Sequence, residues 1–199
     1  MQRYEFVAPC HFGMEAVLKR ELKDLGYEIS RVDDGRVTFL GDITAIARAN
    51  VFLRTAERVL FCVGRFKAET FDELFESVKK IPWEAYLPED GKFWVKKAST
   101  AKSKLFSSSD IQSIVKKAVV ERLKQTYHTS WFREDGEEYP IRVFIYKDEV
   151  TIALDTSGES LHKRGYRRLT GKAPVSETLA EAILLLSPWN KDRKLVDPF

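Results

Sequence analysis

The spacing of apolar residues changes period several times along the chain, and each change marks an element. "RYEFVA" at residues 3–8 reads as a strand. Met14, Val17, Leu18, Leu22 and Leu25 then recur at helical spacing until Gly26 ends the helix. Tyr27 to Val32 and Arg36 to Leu40 read as paired strands around "DDG", a strong hairpin signal. Asp42 is placed to cap a second helix carrying Ile43, Ile46, Ala47 and Leu53, and "RVLFCVGRF" supplies a closing strand. The order β-α-β-β-α-β is the split βαβ, ferredoxin-like arrangement, and it predicts a first domain over residues 1–66.

Beyond residue 66 a short helix is predicted from Phe71 to Lys79, ending before Pro82. "KFWVKKAS" reads as a basic strand, and the polar stretch "TAKSKLFSSSD" leads into the best-signalled helix of the chain. Ser109 and Gln112 have capping-box spacing there, while Ile111, Ile114, Val115, Ala118, Val119 and Leu123 form one apolar face. "IRVFIYKDEVTIALD" reads as two strands with "KDE" between them. This makes a second α/β unit over residues 67–157, and the fold class is α+β.

A third segment covers residues 158–199. "LHKRGYRRLTGKAP" is basic and glycine-containing and reads as a linker. Val175 to Leu186 reads as a helix that is apolar nearly all round except for Glu177 and Glu181, so it expects to be covered on several sides. Lys194 to Val196 resembles the start of a buried strand, and Asp197-Pro198 is turn chemistry.

Composition narrows the class. A 44% hydrophobic content supplies a sizeable core, with no run long enough for a membrane helix and no signal-peptide pattern at the N-terminus. Cytosol is the expected compartment. Two cysteines, Cys10 and Cys62, lie too far apart for a metal or redox pair and read as buried free thiols. The 33 basic and 30 acidic side chains nearly cancel, so the distribution is what matters. Between Lys92 and Lys124 nine bases face two acids, and between Ser160 and Ser176 five bases face none. Such clusters suit a phosphate backbone; a solvated lysine-rich surface accounts for either one equally well.

Candidate chemistry follows the same division. His11, His128 and His162 have no metal-ligand spacing, and no nucleophile elbow, P-loop or dinucleotide fingerprint is present, so no residue is assigned a catalytic role and no metal is expected. Ser107, Ser108 and Ser109 offer hydroxyls at a helix start, with Lys102 and Lys104 upstream and Lys116 and Lys117 further in. A phosphate there would meet both helix dipole and cations. "HKRGYRR" mixes cations with Tyr166, which suits phosphate contacts plus base stacking; a linker paired with acidic surface of the same chain is the alternative.

"FDELFESVKKIPWEAYLPEDGKFWV", "SDIQSIVKKAVVERL", "YPIRVFIYKDEVTIALDTSGESLHKRGYR" and "GKAPVSETLAEAILLLSPW" together resemble the N-terminal half of the THUMP-domain RNA methyltransferases. The resemblance covers essentially the whole chain and is strongest to bacterial enzymes that methylate guanine N2 of large-subunit ribosomal RNA, relatives often labelled N6-adenine-specific DNA methylases. It implies a ferredoxin-like domain, a THUMP domain that binds structured RNA, and the truncated start of a Rossmann-like methyltransferase domain using S-adenosylmethionine. Terminal "VDPF" matches the opening of the family's cofactor motif, which implies that Asp197, Pro198 and Phe199 begin a cofactor loop whose glycines and later catalytic motif are not in this chain. "GKAPVSETLA", with Pro174, Glu177 and Thr178, is implied to pack beside the cofactor pocket. The 199-residue fragment is therefore expected neither to bind cofactor well nor to catalyse. RNA-facing residues by the same carry-over are Lys96, Lys97, Lys102, Lys104, Lys116 and Lys117, and His162, Lys163, Arg164, Tyr166, Arg167 and Arg168 of the linker. A freestanding RNA-binding adaptor and a DNA adenine methyltransferase remain the alternatives, and the oligomeric state is left open.

Overall fold

The computed structural model describes residues 2–164 and 174–196. It contains β1 (Tyr4–Pro9), α1 (Glu15–Asp24), β2 (Glu28–Asp33), β3 (Arg36–Gly41), α2 (Ala45–Phe52), β4 (Leu60–Lys67), α3 (Phe71–Lys79), β5 (Lys92–Ala101), α4 (Ser108–Tyr127), β6 (Glu138–Tyr146), β7 (Glu149–Asp155) and α5 (Glu177–Leu186). Single 3₁₀ turns lie at Trp83–Ala85 and Leu161–Arg164. The chain divides into two compact units, Met1–Leu60 with Thr156–Phe199, and Phe61–Asp155. The predicted β-α-β-β-α-β order is present, and β4 groups with the second unit.

In the first unit β3 lies between β2 and β1 and pairs antiparallel with both. The β2–β3 turn falls on Asp34-Gly35, where Gly35 takes φ +73°, a backbone region that costs a side-chain-bearing residue free energy. Phe6 and Phe39 are register partners with rings stacked at 5.3 Å, and Tyr27 packs on Phe39 at 4.9 Å. The buried face of α2 differs from the expected one: Ala45 and Ala49 point inward, while Ile43 is 57% exposed. Small residues win here because the backbones approach closely; a Cβ on Gly41 would stand 2.6 Å from the Cβ of Ala45. Asp42 does not cap the helix by itself, since Thr44 is its N-cap residue and the Asp42 carboxylate accepts from the Thr44 N–H at 2.9 Å.

In the second unit the strand order is β4-β7-β6-β5, with β6 antiparallel to β7 and parallel to β5. The β6–β7 hairpin turns on Lys147-Asp148, both with positive φ (51° and 62°), the two-residue geometry that matches strand twist. Helix α3 starts at Thr70, whose side chain accepts from the Glu73 N–H. Helix α4 starts two residues earlier than its capping-box spacing predicted: Ser107, not Ser109, is the N-cap and accepts from the Asp110 N–H at 3.4 Å. Ile111, Val115, Ala118, Val119 and Leu123 bury the expected row against a core that includes Phe93, Ile141 and fully buried Trp83. Each such aliphatic burial contributes about 1.5–3 kcal/mol. The Trp83 indole N–H donates to the Val78 carbonyl at 2.8 Å, so the largest core residue leaves no buried donor unpaired.

Helix α5 begins at Glu177 after the N-cap Ser176, two residues later than the apolar pattern suggested, because Val175 lies before the cap. It buries Thr178 and Ala182 and exposes Ile183, Leu185 and Leu186. Lys194 to Val196 is irregular and exposed rather than a buried strand. A strand needs a neighbouring edge to pair with, and no described strand pairs with it.

Candidate nucleic-acid interface

In the second unit the basic residues are placed by β5, the loop after it and α4. Along β5 the pairing with β6 slips between Val95 and Lys97, so Lys96 is the extra residue of a bulge and Lys97 resumes the ladder opposite Arg142. Both lysines are exposed. Lys102 has φ +52°, and its ammonium stands 5.9 Å from the centre of the Tyr146 ring, which Lys147 also approaches at 5.4 Å. The Asp148 carboxylate accepts the Lys104 N–H at 2.7 Å, and the Asp148 N–H donates to Ser103 Oγ at 3.0 Å. Lys104 forms an ion pair with Glu69, which holds its ammonium above the ordinary lysine range.

The serines and lysines of α4 do not converge as their order suggested. Ser107 Oγ is occupied as the cap, and Ser108 and Ser109 are exposed in the first turn beside Asp110, whose charge opposes an incoming phosphate. Lys116 and Lys117 lie about 12 Å along the axis from the helix start at 1.5 Å per residue. They also diverge: Lys116 Nζ is 3.4 Å from Glu134 Oε1 and 5.7 Å from the Phe93 ring, whereas Lys117 stands 5.8 Å from the Phe75 ring that Lys79 shares at 5.9 Å. The basic surface is therefore a spread of separate cations, suited to successive phosphates more than to one. Sequence reasoning passed over Phe106, which is 80% exposed between Lys104 and Ser107, and Trp131, which is 72% exposed beside Arg133. A large apolar residue inside a polar, basic loop was the available signal for both.

In the first unit two of the linker residues, His162 and Arg164, bond to other residues of that unit. Lys163 is exposed, 3.4 Å from Glu159. His162 Nδ1 lies 3.0 Å from Glu57 Oε2. Arg164 donates through Nε to the Leu161 carbonyl at 2.9 Å, through Nη1 to the carbonyls of Asn50 and Val51, and through Nη2 to that of Leu53. Burial draws its pKa below the ordinary arginine value, against the opposing pull of Glu21. Tyr166, Arg167, Arg168, Asp197, Pro198 and Phe199 lie outside the described residues.

Pro174 is exposed, Glu177 is the first residue of α5, and Thr178 is 2% exposed with its hydroxyl donated to Glu57. Of the three, Thr178 turns its hydroxyl inward to Glu57. No group of three or more His, Cys, Asp or Glu among the described residues could hold a metal. Cys10 and Cys62 are free thiols, the first buried with its pKa pushed up to about 12, mainly by desolvation, and the second half-buried. No described helix is long and apolar enough to cross a membrane.

The chain matches the "RlmL ferredoxin-like domain" over residues 5–60, the "THUMP domain" over residues 68–155 and the "RMKL-like, methyltransferase domain" over residues 164–199. It is 50% identical over 201 aligned positions to a protein of Bacillus subtilis (strain 168) named "Putative RNA methyltransferase YpsC", covering 100% of this chain and 52% of that one. A solved structure described as a possible methylase from Clostridium difficile 630 superposes with a TM-score of 0.89 at 51% identity, over 94% of this chain and 50% of that one. SMU.472, a putative methyltransferase complexed with SAH, superposes with a TM-score of 0.86 at 42% identity, over 97% and 51%. The chain thus spans about half the length of these relatives. Three consecutive domain matches in one order, on a fold shared at this identity, place the chain in the THUMP-containing methyltransferase family, as its ferredoxin-like and THUMP regions followed by the start of the methyltransferase region.

Proposed function

We propose that the chain is the RNA-recognising portion of an S-adenosylmethionine-dependent RNA methyltransferase whose target is guanine N2 of large-subunit ribosomal RNA. The observation that carries this reading is the basic surface of the THUMP-matching unit, Lys96, Lys97, Lys102, Lys104, Lys116 and Lys117, of which Lys102, Lys116 and Lys117 each face an aromatic ring, in the same chain as a methyltransferase-matching segment. Phosphate contacts supply affinity, and exposed rings offer stacking to unpaired bases. The exposed apolar residues of α5, Ile183 and Leu186, are where the remainder of the methyltransferase domain would pack. Pro174, Glu177, Asp197, Pro198 and Phe199 are carried as cofactor-side residues of that larger domain, and this chain alone is expected to lack catalysis.

A structure of Listeria monocytogenes described as a predicted N6-adenine-specific DNA methylase is 49% identical, so DNA is the competing substrate. Anisotropy with labelled ribosomal RNA helices, with duplex DNA as competitor across a salt titration, separates the two. Methyl transfer from radiolabelled cofactor by a gene product of the relatives' full length tests the rest. RNA binding that duplex DNA displaces at equal concentration would sink the RNA assignment.

A further inference from the structure

Glu57 follows α2, and three other segments of the first unit converge on its carboxylate. His11, just past β1, places Nε2 3.2 Å from Oε1. His162, in the Leu161–Arg164 turn, places Nδ1 3.0 Å from Oε2. Thr178, in the first turn of α5, donates its hydroxyl to Oε1. The backbone repeats the pattern: Glu57 N–H donates to the Pro9 carbonyl at 2.7 Å, and the Leu161 N–H donates to the Glu57 carbonyl at 2.9 Å. Ser176, the N-cap of α5, lies 3.2 Å from His11 Nε2 through its hydroxyl. The thiol of Cys10 also feels the Glu57 charge.

What holds α5 in place is mostly polar. It buries only Thr178 and Ala182, too little apolar surface to fix a ten-residue helix by packing alone. Arg54 pairs with Glu181 at 3.2 Å but is itself 71% exposed, and such a surface pair contributes little. Arg20 donates to the Leu185 carbonyl at 2.7 Å at the far end of the helix. The half-buried carboxylate of Glu57, bonded to side chains 105 and 121 residues away in sequence, is the strongest tie at the near end.

We propose that Glu57 is a positioning residue that clamps the Leu161–Arg164 turn and the first turn of α5 to the body of the first unit. Because α5 lies in the methyltransferase-matching segment, the clamp fixes how that domain begins; in this it rests on the function proposed above, while the clamp itself needs neither RNA nor cofactor. Two of its ties are imidazoles and one is a hydroxyl, so its strength follows the ionisation of the carboxylate they share.

Hydrogen–deuterium exchange on this chain, corrected for intrinsic rates, tests it. Glu57→Gln is expected to lower protection of the α5 amides about tenfold, as expected for loss of a charge-assisted hydrogen bond, while leaving β1 and β3 amides unchanged. In the unaltered chain α5 protection falls as pH drops through the carboxylate range, and in Glu57→Gln it stays flat. Pairing Glu57→Gln with Thr178→Val gives a loss smaller than the sum of the single losses. Unchanged α5 protection, or equal losses in β1, β3 and α5, overturns the proposal. If Glu57→Gln does not fold, Thr178→Val and His162→Gln serve instead: each should loosen α5 selectively, and no change in both overturns it. Failure of RNA binding or methyl transfer is read in separate assays and leaves this test intact.

Discussion

The guanidinium of Arg164 donates through Nη1 to the carbonyl of Val51 at 3.2 Å and to that of Asn50, and its other two nitrogens reach Leu53 and Leu161, so one side chain closes the C-terminal end of α2. The last carbonyls of a helix lack intrahelical partners, and a cation there also meets the negative end of the dipole. Arg164→Ala should cost about 1–3 kcal/mol, the range for a lost hydrogen bond to a charged group. Arg164→Lys should restore only part of it, since an ammonium cannot fork across several carbonyls. Denaturation midpoints measure both. A slope of RNA affinity against salt that Arg164→Ala leaves unaltered would mark the residue as a fixture of the fold; a flattened slope would return it to the RNA surface.

Two of the candidate lysines on the second unit already have acids beside them, Lys104 with Glu69 and Lys116 with Glu134. Phosphate must displace those acids. Replacing Lys102, Lys104, Lys116 and Lys117 together by alanine should weaken RNA binding and reduce its log–log salt slope by roughly 0.7–0.9 for each phosphate no longer neutralised. Glu69→Gln and Glu134→Gln should act in the opposite direction and tighten binding at low salt. Anisotropy titrations at several salt concentrations decide; tightening by neither glutamine variant would mean that these lysines do not meet phosphate.

Asp155 has no exposed side-chain surface, and Arg142 lies 3.2 Å from it across the β6–β7 pair. Taking away the arginine removes a cationic partner from a carboxylate with no exposed side-chain surface. Arg142→Met should therefore cost about 3–5 kcal/mol, and the double change with Asp155→Leu should cost much less than that. Urea unfolding of the single and double variants is the measurement.

Glu84 receives hydrogen bonds from Arg122, which hold its carboxyl below the ordinary glutamate range against opposing desolvation. A depressed folded pKa means that the unfolded chain takes up protons first. The pair's contribution is thus present above the unfolded value of about 4.3 and is lost as pH falls through the folded one. The gap in midpoint between the unaltered chain and Glu84→Gln should be open near neutrality and close in acid. A gap that stays constant with pH would assign the effect to shape rather than charge.

What could be read from the sequence was local. The "DDG" and "KDE" turns and the inward row of α4 each depend on residues within a few positions of one another, and they stand where the pattern put them. Long-range closure was not legible. Nothing near Arg164 in sequence announces that its partners lie 111 to 114 residues earlier, and nothing near Thr178 points to Glu57. Basic composition put Arg164 and Ser107 among the candidate phosphate ligands, but it reports neither the carbonyls that Arg164 meets nor the cap that Ser107 makes. The inward turn of Ala45 and Ala49 was hidden for a related reason: a close backbone approach favours the smaller face over the more hydrophobic one.

The tip of the β6–β7 hairpin has one more consequence. Asp148 holds the Lys104 backbone and the Ser103 side chain from outside the loop that they belong to, and the Lys147 N–H donates to the Ala101 carbonyl at 3.3 Å. The loop is thus cast against a neighbouring mould. Its exposed Phe106 and Ser108 take no part in these bonds, whereas Lys102 holds a left-handed backbone, φ +52°, that shapes the turn. Divergent chains could therefore exchange Phe106 and Ser108 while Asp148 and Ser103 keep the outline, and a designer wishing to retarget the surface would leave those two, and buried Leu105, alone.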